Sequence, residues 1–221
     1  MKQYDFQSFL YPDTFFLLSE SSPKSLFQEN IFTDSRQVKN GLCHILVSTS
    51  CELALKTAND SNPEYLNKLL AQLENTELDL VLHKLVIQAI ADLLETEIPS
   101  VLIHGDFVRY NMKVRDDKLA LIDWEFARIG LPLFDLFHFV FQDQIQIKKR
   151  KTANAIKEVF SKQNLKLYKD YLLNLDIQDN RIKSLFILYL FDNLLFEKRL
   201  KPKNEIDSSN FCQALQIMRY E

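Results

Sequence analysis

Glycine is nearly absent: three in 221 residues, Gly41, Gly105 and Gly130. No G-x-G-x-x-G loop fits that placement, so a phosphate cradle built on flexible glycine backbone is excluded. Cysteine is scarce too. Cys43, Cys51 and Cys212 are odd in number and scattered. That points to free or buried thiols in a reducing cytosol and lacks the spacing of a metal site. Long apolar runs are also missing. The most apolar stretch, Leu185 to Phe196, is interrupted by Asp192 and Asn193. A membrane span needs about 20 apolar residues, so this stretch reads as a core helix. The opening Met-Lys-Gln-Tyr-Asp-Phe-Gln has no apolar run of signal-peptide type. These absences predict a cytoplasmic chain with no membrane span.

Aromatic residues are plentiful instead. Seventeen Phe and eight Tyr within a 47% hydrophobic composition predict a single helix-rich domain with an aromatic core. The net charge of −3 hides an asymmetry: residues 1–141 hold 12 Lys and Arg against 20 Asp and Glu, whereas residues 142–221 hold 15 against 10. Lys148-Lys149-Arg150-Lys151 reads as a solvated helix junction in preference to a nucleic-acid or lipid patch. No nucleic-acid partner is expected.

Apolar periodicity places the clearest helix over 77–95. Leu78, Val81, Leu82, Leu85, Ala89 and Leu93 form one stripe, with Lys84, Gln88, Asp92 and Glu95 facing away. Thr76 is the expected N-cap and Pro99 the exit. Val101-Leu102-Ile103 reads as a short buried strand. Met112 to Val114 and Leu119 to Ile122 read as a hairpin turning at Arg115-Asp116-Asp117-Lys118. Further helices are expected over 64–74, 134–146, 152–163, 165–174, 179–199 and 208–219, with loops over 21–35 and 57–63. Residues 37–50 fit a helix or a strand equally.

The chemistry lies between His104 and Glu125. Asp106 and Asn111 stand five apart, and Asp123 ends the second strand of the hairpin. This is the order of the phosphoryl-transfer loop H-R-D-x-x-x-x-N and its metal-binding aspartate, with Gly105 in place of Arg. That reaction needs an oriented acceptor hydroxyl and cations on the phosphates. Asp106 is the candidate base. Asn111 and Asp123 are candidate Mg²⁺ ligands, and their oxygens suit that hard cation. The hairpin folds Asp123 back beside Asn111. His104 reads as a residue that pins the loop, and Gly105 as a sharp turn. The plain alternative is a loop and hairpin carrying ordinary turn-forming polar residues. His138, among Phe137, Phe139 and Phe141, reads as a core histidine.

On these residues the chain resembles the aminoglycoside phosphotransferase and choline-kinase-like family, whose members carry H-G-D-x-x-x-x-N and then I-D-W/F-E. The likeness continues through Ala127, Gly130, Pro132, Asp135 and Leu136 and covers residues 78 to 141 best. It implies that Asp135 supports the catalytic loop from beneath; a helix N-cap is its other reading. It implies that Trp124 packs under the metal loop, while Glu125 supports a ligand or pairs with Arg128. It also implies ATP or another nucleoside triphosphate, Mg²⁺ and a small hydroxylated acceptor such as a sugar or amino alcohol. In such folds the later helices wall the acceptor. A basic wall suits a neutral or anionic acceptor better than a polycationic one.

The resemblance predicts an α+β, mainly helical fold: a protein-kinase-like C-lobe with a catalytic-loop β-hairpin, its N-lobe largely missing. Residues 1–24 read as a remnant edge strand (14–20) and hinge, 25–100 as helical, 101–125 as catalytic and metal loops, and 126–221 as a helical substrate-side subdomain. Leu53-Ala54-Leu55-Lys56 mimics the family's lysine strand, but only 49 residues separate Lys56 from Asp106, too few for the elements that must intervene. Three explanations remain open: a shortened product, a compact variant with other nucleotide contacts, or a relic that binds. The reading is therefore an ATP- and Mg²⁺-dependent kinase of a small metabolite. Its alternative is an inactive or truncated module that binds a small molecule, a partner protein or its own copy at the missing N-lobe surface. A metal-dependent hydrolase on His104 and Asp106 is the third reading, without the further ligand spacing such a centre shows.

Overall fold

The helix signalled by the 77–95 periodicity begins at Asp79. Its carboxylate accepts the N–H groups of Val81 and Leu82, each at 2.9 Å. Such a cap is worth about 1 kcal/mol. Thr76, the expected cap, instead donates its hydroxyl to Gln72 O at 2.7 Å and closes the preceding helix. In this computed structural model residues 50, 53–58, 63–115, 118–200 and 209–220 are described. The expected edge strand and hinge at 14–24, the segment 37–49, the turn at Asp116-Asp117, and Cys43 and Cys51 lie outside them.

Helix α1 (Pro63–Glu74) and helix α2 (Leu80–Leu94) lead to strand β1 (Val101–Ile103). The buried face of α2 is Leu82, Val86, Ala89, Ile90 and Leu93. Val81, placed on the stripe by its spacing, is 53% exposed. Asp92, expected to face water, accepts from Arg181 and Ser184 at 2.6 and 2.5 Å. Residues 53–57 are helical, so Lys56 stands on no strand. Thr57 Oγ1 accepts the N–H of Leu102 at 2.9 Å and ties that helix to β1.

Two small antiparallel sheets frame the site. Strand β2 (Met112–Arg115) pairs with β3 (Lys118–Leu121), Met112 opposite Leu121, which is the expected hairpin. Strand β4 (Arg128–Gly130) returns to β1 and pairs Ile103 with Arg128 and Val101 with Gly130. It was not foreseen. The second pairing brings the chain after Asp123 back under His104.

Among the described residues five further α-helices follow: α3 (Phe134–Gln142), α4 (Thr152–Val159), α5 (Lys162–Leu173), α6 (Ile182–Leu200) and α7 (Asn210–Met218). The fold is α+β and mainly helical. The expected helix to 146 gives way after Gln142 to a wider π turn over Asp143–Ile147. Lys148 pairs with Asp143 at 2.9 Å and Arg150 lies 3.8 Å from Glu158 at that junction.

Helix α6 is apolar on nearly every side. Leu185, Phe186, Leu188, Tyr189, Leu190, Phe191 and Leu194 are all fully buried. Each such side chain contributes roughly 1.5–3 kcal/mol of transfer free energy. Phe137 of α3 packs edge-on to Tyr168 and Phe186 at 5.1 and 5.2 Å between centroids. That cluster fixes the rotation of α3. Phe134, Phe137 and Phe141 face the core, so Asp135 and His138 face the loop after β1. Cys212 is buried against the core. Among the described residues no helix is long and apolar enough to cross a membrane.

Candidate active site

Strand β1 delivers its chain directly into the loop that begins at His104, and the loop is held from below by one side chain. Asp135 accepts the N–H of His104 at 2.8 Å on one oxygen and that of Gly105 at 3.2 Å on the other. Burial pushes the Asp135 carboxyl up, against the pull of these two donors. The N-cap of α3 is Leu133, in the left-handed region at φ 69°, with no side-chain cap. Asp135 sits in the first turn and spends its oxygens on the loop.

Gly105 turns the chain at φ +82°, a region that costs other residues. A Cβ there would lie 2.2 Å from Phe126 O and 2.4 Å from Arg128 Nη1. The Arg128 guanidinium fills the space that glycine leaves. Arg128 pairs with Asp192 of α6 at 2.6 Å, and Asp192 also accepts from Tyr65 at 2.8 Å. Its partner is thus Asp192 and not Glu125, which is exposed.

His104 is fully buried. Its Nε2 bonds Ile122 O at 2.9 Å and its Nδ1 accepts the N–H of Asp106 at 3.3 Å. A carbonyl accepts and an amide donates, so the two contacts together require the Nε2–H tautomer. The ring therefore links the loop after β1 to the end of β3. Trp124 stacks obliquely on it at 4.7 Å, with its own N–H on Leu121 O at 3.0 Å.

Asp106 is poised at the open face, with its side chain 35% exposed. Asn111 donates its amide to both Asp106 O and Asp106 Oδ2, at 3.0 and 2.9 Å. Both partners only accept, so Nδ2 points at them and Oδ1 is turned away; among the described residues it takes no hydrogen bond. On the other side His138 Nε2 lies 3.4 Å from Asp106 Oδ1. The hydrogen bond from His138 chiefly holds the Asp106 carboxyl below its ordinary value; burial opposes it, and Asn111 assists.

Asp123 follows β3 in a left-handed conformation, φ 64°, which aspartate tolerates better than most residues, and it is exposed. The N–H of Ile122 bonds Asn111 O at 2.9 Å, which brings the approach to Asp123 beside Asn111. Among the described residues no group of three or more His, Cys, Asp and Glu gathers into a metal cage. One amide oxygen and one carboxylate are instead the donor set that suits Mg²⁺, which completes its octahedron with water and substrate phosphates. The residues present fit that ion.

The sequence reading missed the contact of His138 with Asp106. Its signal was the three-residue spacing from Asp135, which puts both on one face of α3. It also missed the Tyr65–Asp192–Arg128 chain, whose members are 64 and 127 residues from Asp192.

Parts of this chain are similar to known proteins. Protein LicA of Haemophilus influenzae strain Rd is 32% identical over 66 residues, which are 30% of this chain and 24% of that protein. A second Haemophilus influenzae LicA matches at the same identity over 19% of its length. The matched stretch thus spans about a quarter or less of these relatives. A crystal structure of a choline/ethanolamine kinase family protein from Mesorhizobium loti overlaps 71% of this chain and 56% of that one. Its identity is 14% and its TM-score 0.35, too loose an overlap to fix the fold by itself. The profile of the phosphotransferase enzyme family matches residues 42–159, more than half of the chain and the whole stretch from His104 to α3. The chain belongs to the phosphotransferase enzyme family.

Proposed function

We propose that this chain transfers the γ-phosphoryl group of ATP to a hydroxyl of a small metabolite, with Asp106 as the base. Asn111 and Asp123 would hold Mg²⁺, which neutralises charge on the phosphates when bound. The observation that supports this most is the Asp106–Asn111 pair. One amide fixes a partly exposed carboxylate and by the same bond turns its own oxygen away from that carboxylate. A turn that merely needed polar residues has no use for that division of labour.

In the proposed reaction the acceptor hydroxyl lies against the Asp106 carboxylate. Its oxygen forms a bond to the γ-phosphorus, the bond from that phosphorus to the β–γ bridging oxygen breaks, and ADP leaves. The hydroxyl proton passes to Asp106. A carboxylate held below its usual pKa is a weak base, and this suits a loose transition state in which the proton moves late. Asp106 then acts mainly by orientation. Asp135 and His104 keep the loop in place through backbone bonds, as positioning residues. The acceptor is a sugar, an amino alcohol or a similar hydroxylated metabolite.

Calorimetric titration of ATP into the purified chain, with and without Mg²⁺, tests the reading. Mg²⁺-dependent binding that weakens by at least about 10- to 100-fold in Asp123→Ala is expected, since loss of even a group that supports a metal ligand costs that much. A folded chain that binds no Mg²⁺·ATP would leave only the binding-module alternative.

A further inference from the structure

His138 and Tyr189 stand in line behind the catalytic carboxylate. His138 Nε2 faces Asp106 Oδ1 at 3.4 Å, and Tyr189 OH faces His138 Nδ1 at 3.3 Å. We propose that these two residues form a brace that fixes the orientation of the Asp106 carboxylate for transfer, a role that rests on the phosphotransferase reading. His138 is the positioning residue, and Tyr189 sets which of its nitrogens carries the proton.

Three features make the arrangement more than a buried histidine with convenient neighbours. First, Asp106 is held on both oxygens from opposite sides, Oδ2 by Asn111 and Oδ1 by His138. Contacts on both oxygens restrict the swing of the carboxylate about its terminal bond, so the hydroxyl it receives is presented in a preferred direction. Second, Tyr189 is itself immobile. It is fully buried on α6 and meets the His138 ring at 83° with centroids 6.0 Å apart. Phe134, Phe186 and Phe211 pack around it at 5.7–6.0 Å. Third, Tyr189 has a proton to give, since burial pushes its phenol well above the ordinary value. With a neutral ring, the phenol O–H donates to Nδ1, and the imidazole proton must sit on Nε2, toward Asp106. The other tautomer would aim a lone pair at an anionic oxygen.

Both distances lie at the long end of the hydrogen-bond range. Contacts of this kind in ligand-free sites tighten when substrate closes on them. Placement explains the division of roles along α3. Asp135 holds the backbone of the loop, and His138, one turn further, holds its reacting side chain. The helix that anchors the site in the aromatic core thus sets two of its coordinates.

The test uses the whole chain with ¹⁵N-labelled histidine. Imidazole spectra above the titration of the ring should show His138 in the Nε2–H form in the wild type and a mixture of tautomers in Tyr189→Phe. In transfer assays His138→Phe should lower kcat about 10- to 100-fold, the scale of a misplaced reacting group, with KM for ATP unchanged. His138→Gln keeps an N–H at that end and should recover most of the loss; a purely structural role predicts no such rescue. An Nδ1–H ring in the wild type overturns the brace. So does a folded His138→Phe with wild-type kcat, or a Gln variant no better than Phe. A wild-type chain that transfers no phosphoryl group fails the proposed function instead, and the spectra still decide the brace alone.

Discussion

Two aspartates meet at one loop and live in opposite surroundings. Asp135, beneath it, is 4% exposed and receives two backbone N–H groups. Asp106, on top, is a third exposed and receives side-chain donors, Asn111 and His138. Burial drives the first carboxyl up, whereas the hydrogen bond from His138 draws the second down. The floor spends a costly buried acceptor on rigidity. The open face keeps a carboxylate whose partners can be rearranged by a substrate. Rigid backbone below and adjustable side chains above are what a site needs when its work is orientation.

Substitution at the open face should affect the reaction, and substitution at the floor the fold. Asp106→Asn preserves shape and removes the base, so the transfer rate should fall about 10³-fold while Mg²⁺·ATP binding persists. Rate assays beside calorimetry separate the two. An Asn variant that transfers at the native rate would remove Asp106 from the mechanism.

Asp135→Ala should do the reverse. It strands the N–H groups of His104 and Gly105 in a dry place, at about 1–3 kcal/mol for each buried donor. Loss of the buried charge offsets part of that, so a net destabilisation of about 2–3 kcal/mol is expected in denaturant unfolding. A midpoint equal to the wild type would mean that the loop does not depend on its floor.

The open face was far easier to read in the sequence than the floor. Asp106, Asn111 and Asp123 declare themselves by local spacing, and the hairpin by apolar residues around a polar turn. The support of Asp106 by His138 is hidden, because Phe137, Phe139 and Phe141 make the neighbourhood look uniformly apolar. Only the rotation of α3, set by Phe137 against Tyr168 and Phe186, sends His138 to the site. Strand β4 was illegible for a related reason. Three residues with a 43% exposed Ile129 carry no strand pattern of their own, and pairing with β1 makes them a strand. In α2 apolar residues occur on more than one face, so spacing alone put the exposed Val81 on the stripe and passed over the buried Val86 and Ile90. Local chemistry was legible; the long-range contacts that rank one apolar face over another were not.

The smallest predicted effect discriminates the two aspartates most sharply, because it has opposite signs. Asp106 has a folded pKa below its unfolded one. Its contribution to stability is present above the ordinary carboxylate value, about 3.9, and is lost as pH falls through the lower folded value. Asp135 has a folded pKa above its unfolded one. Its contribution is full below the ordinary value and is lost as pH rises through the raised folded value. Each can be isolated by comparing wild type with the matching Asn variant at a series of pH values. The advantage of wild type over Asp135→Asn should shrink as pH climbs from below the carboxylate range to neutrality. Its advantage over Asp106→Asn should shrink as pH drops into and below that range. Slopes of the same sign would mean that the loop does not separate its two carboxylates in the way their partners dictate. Opposite slopes would show that a single turn of backbone, braced by one helix, maintains two electrostatic environments a few residues deep.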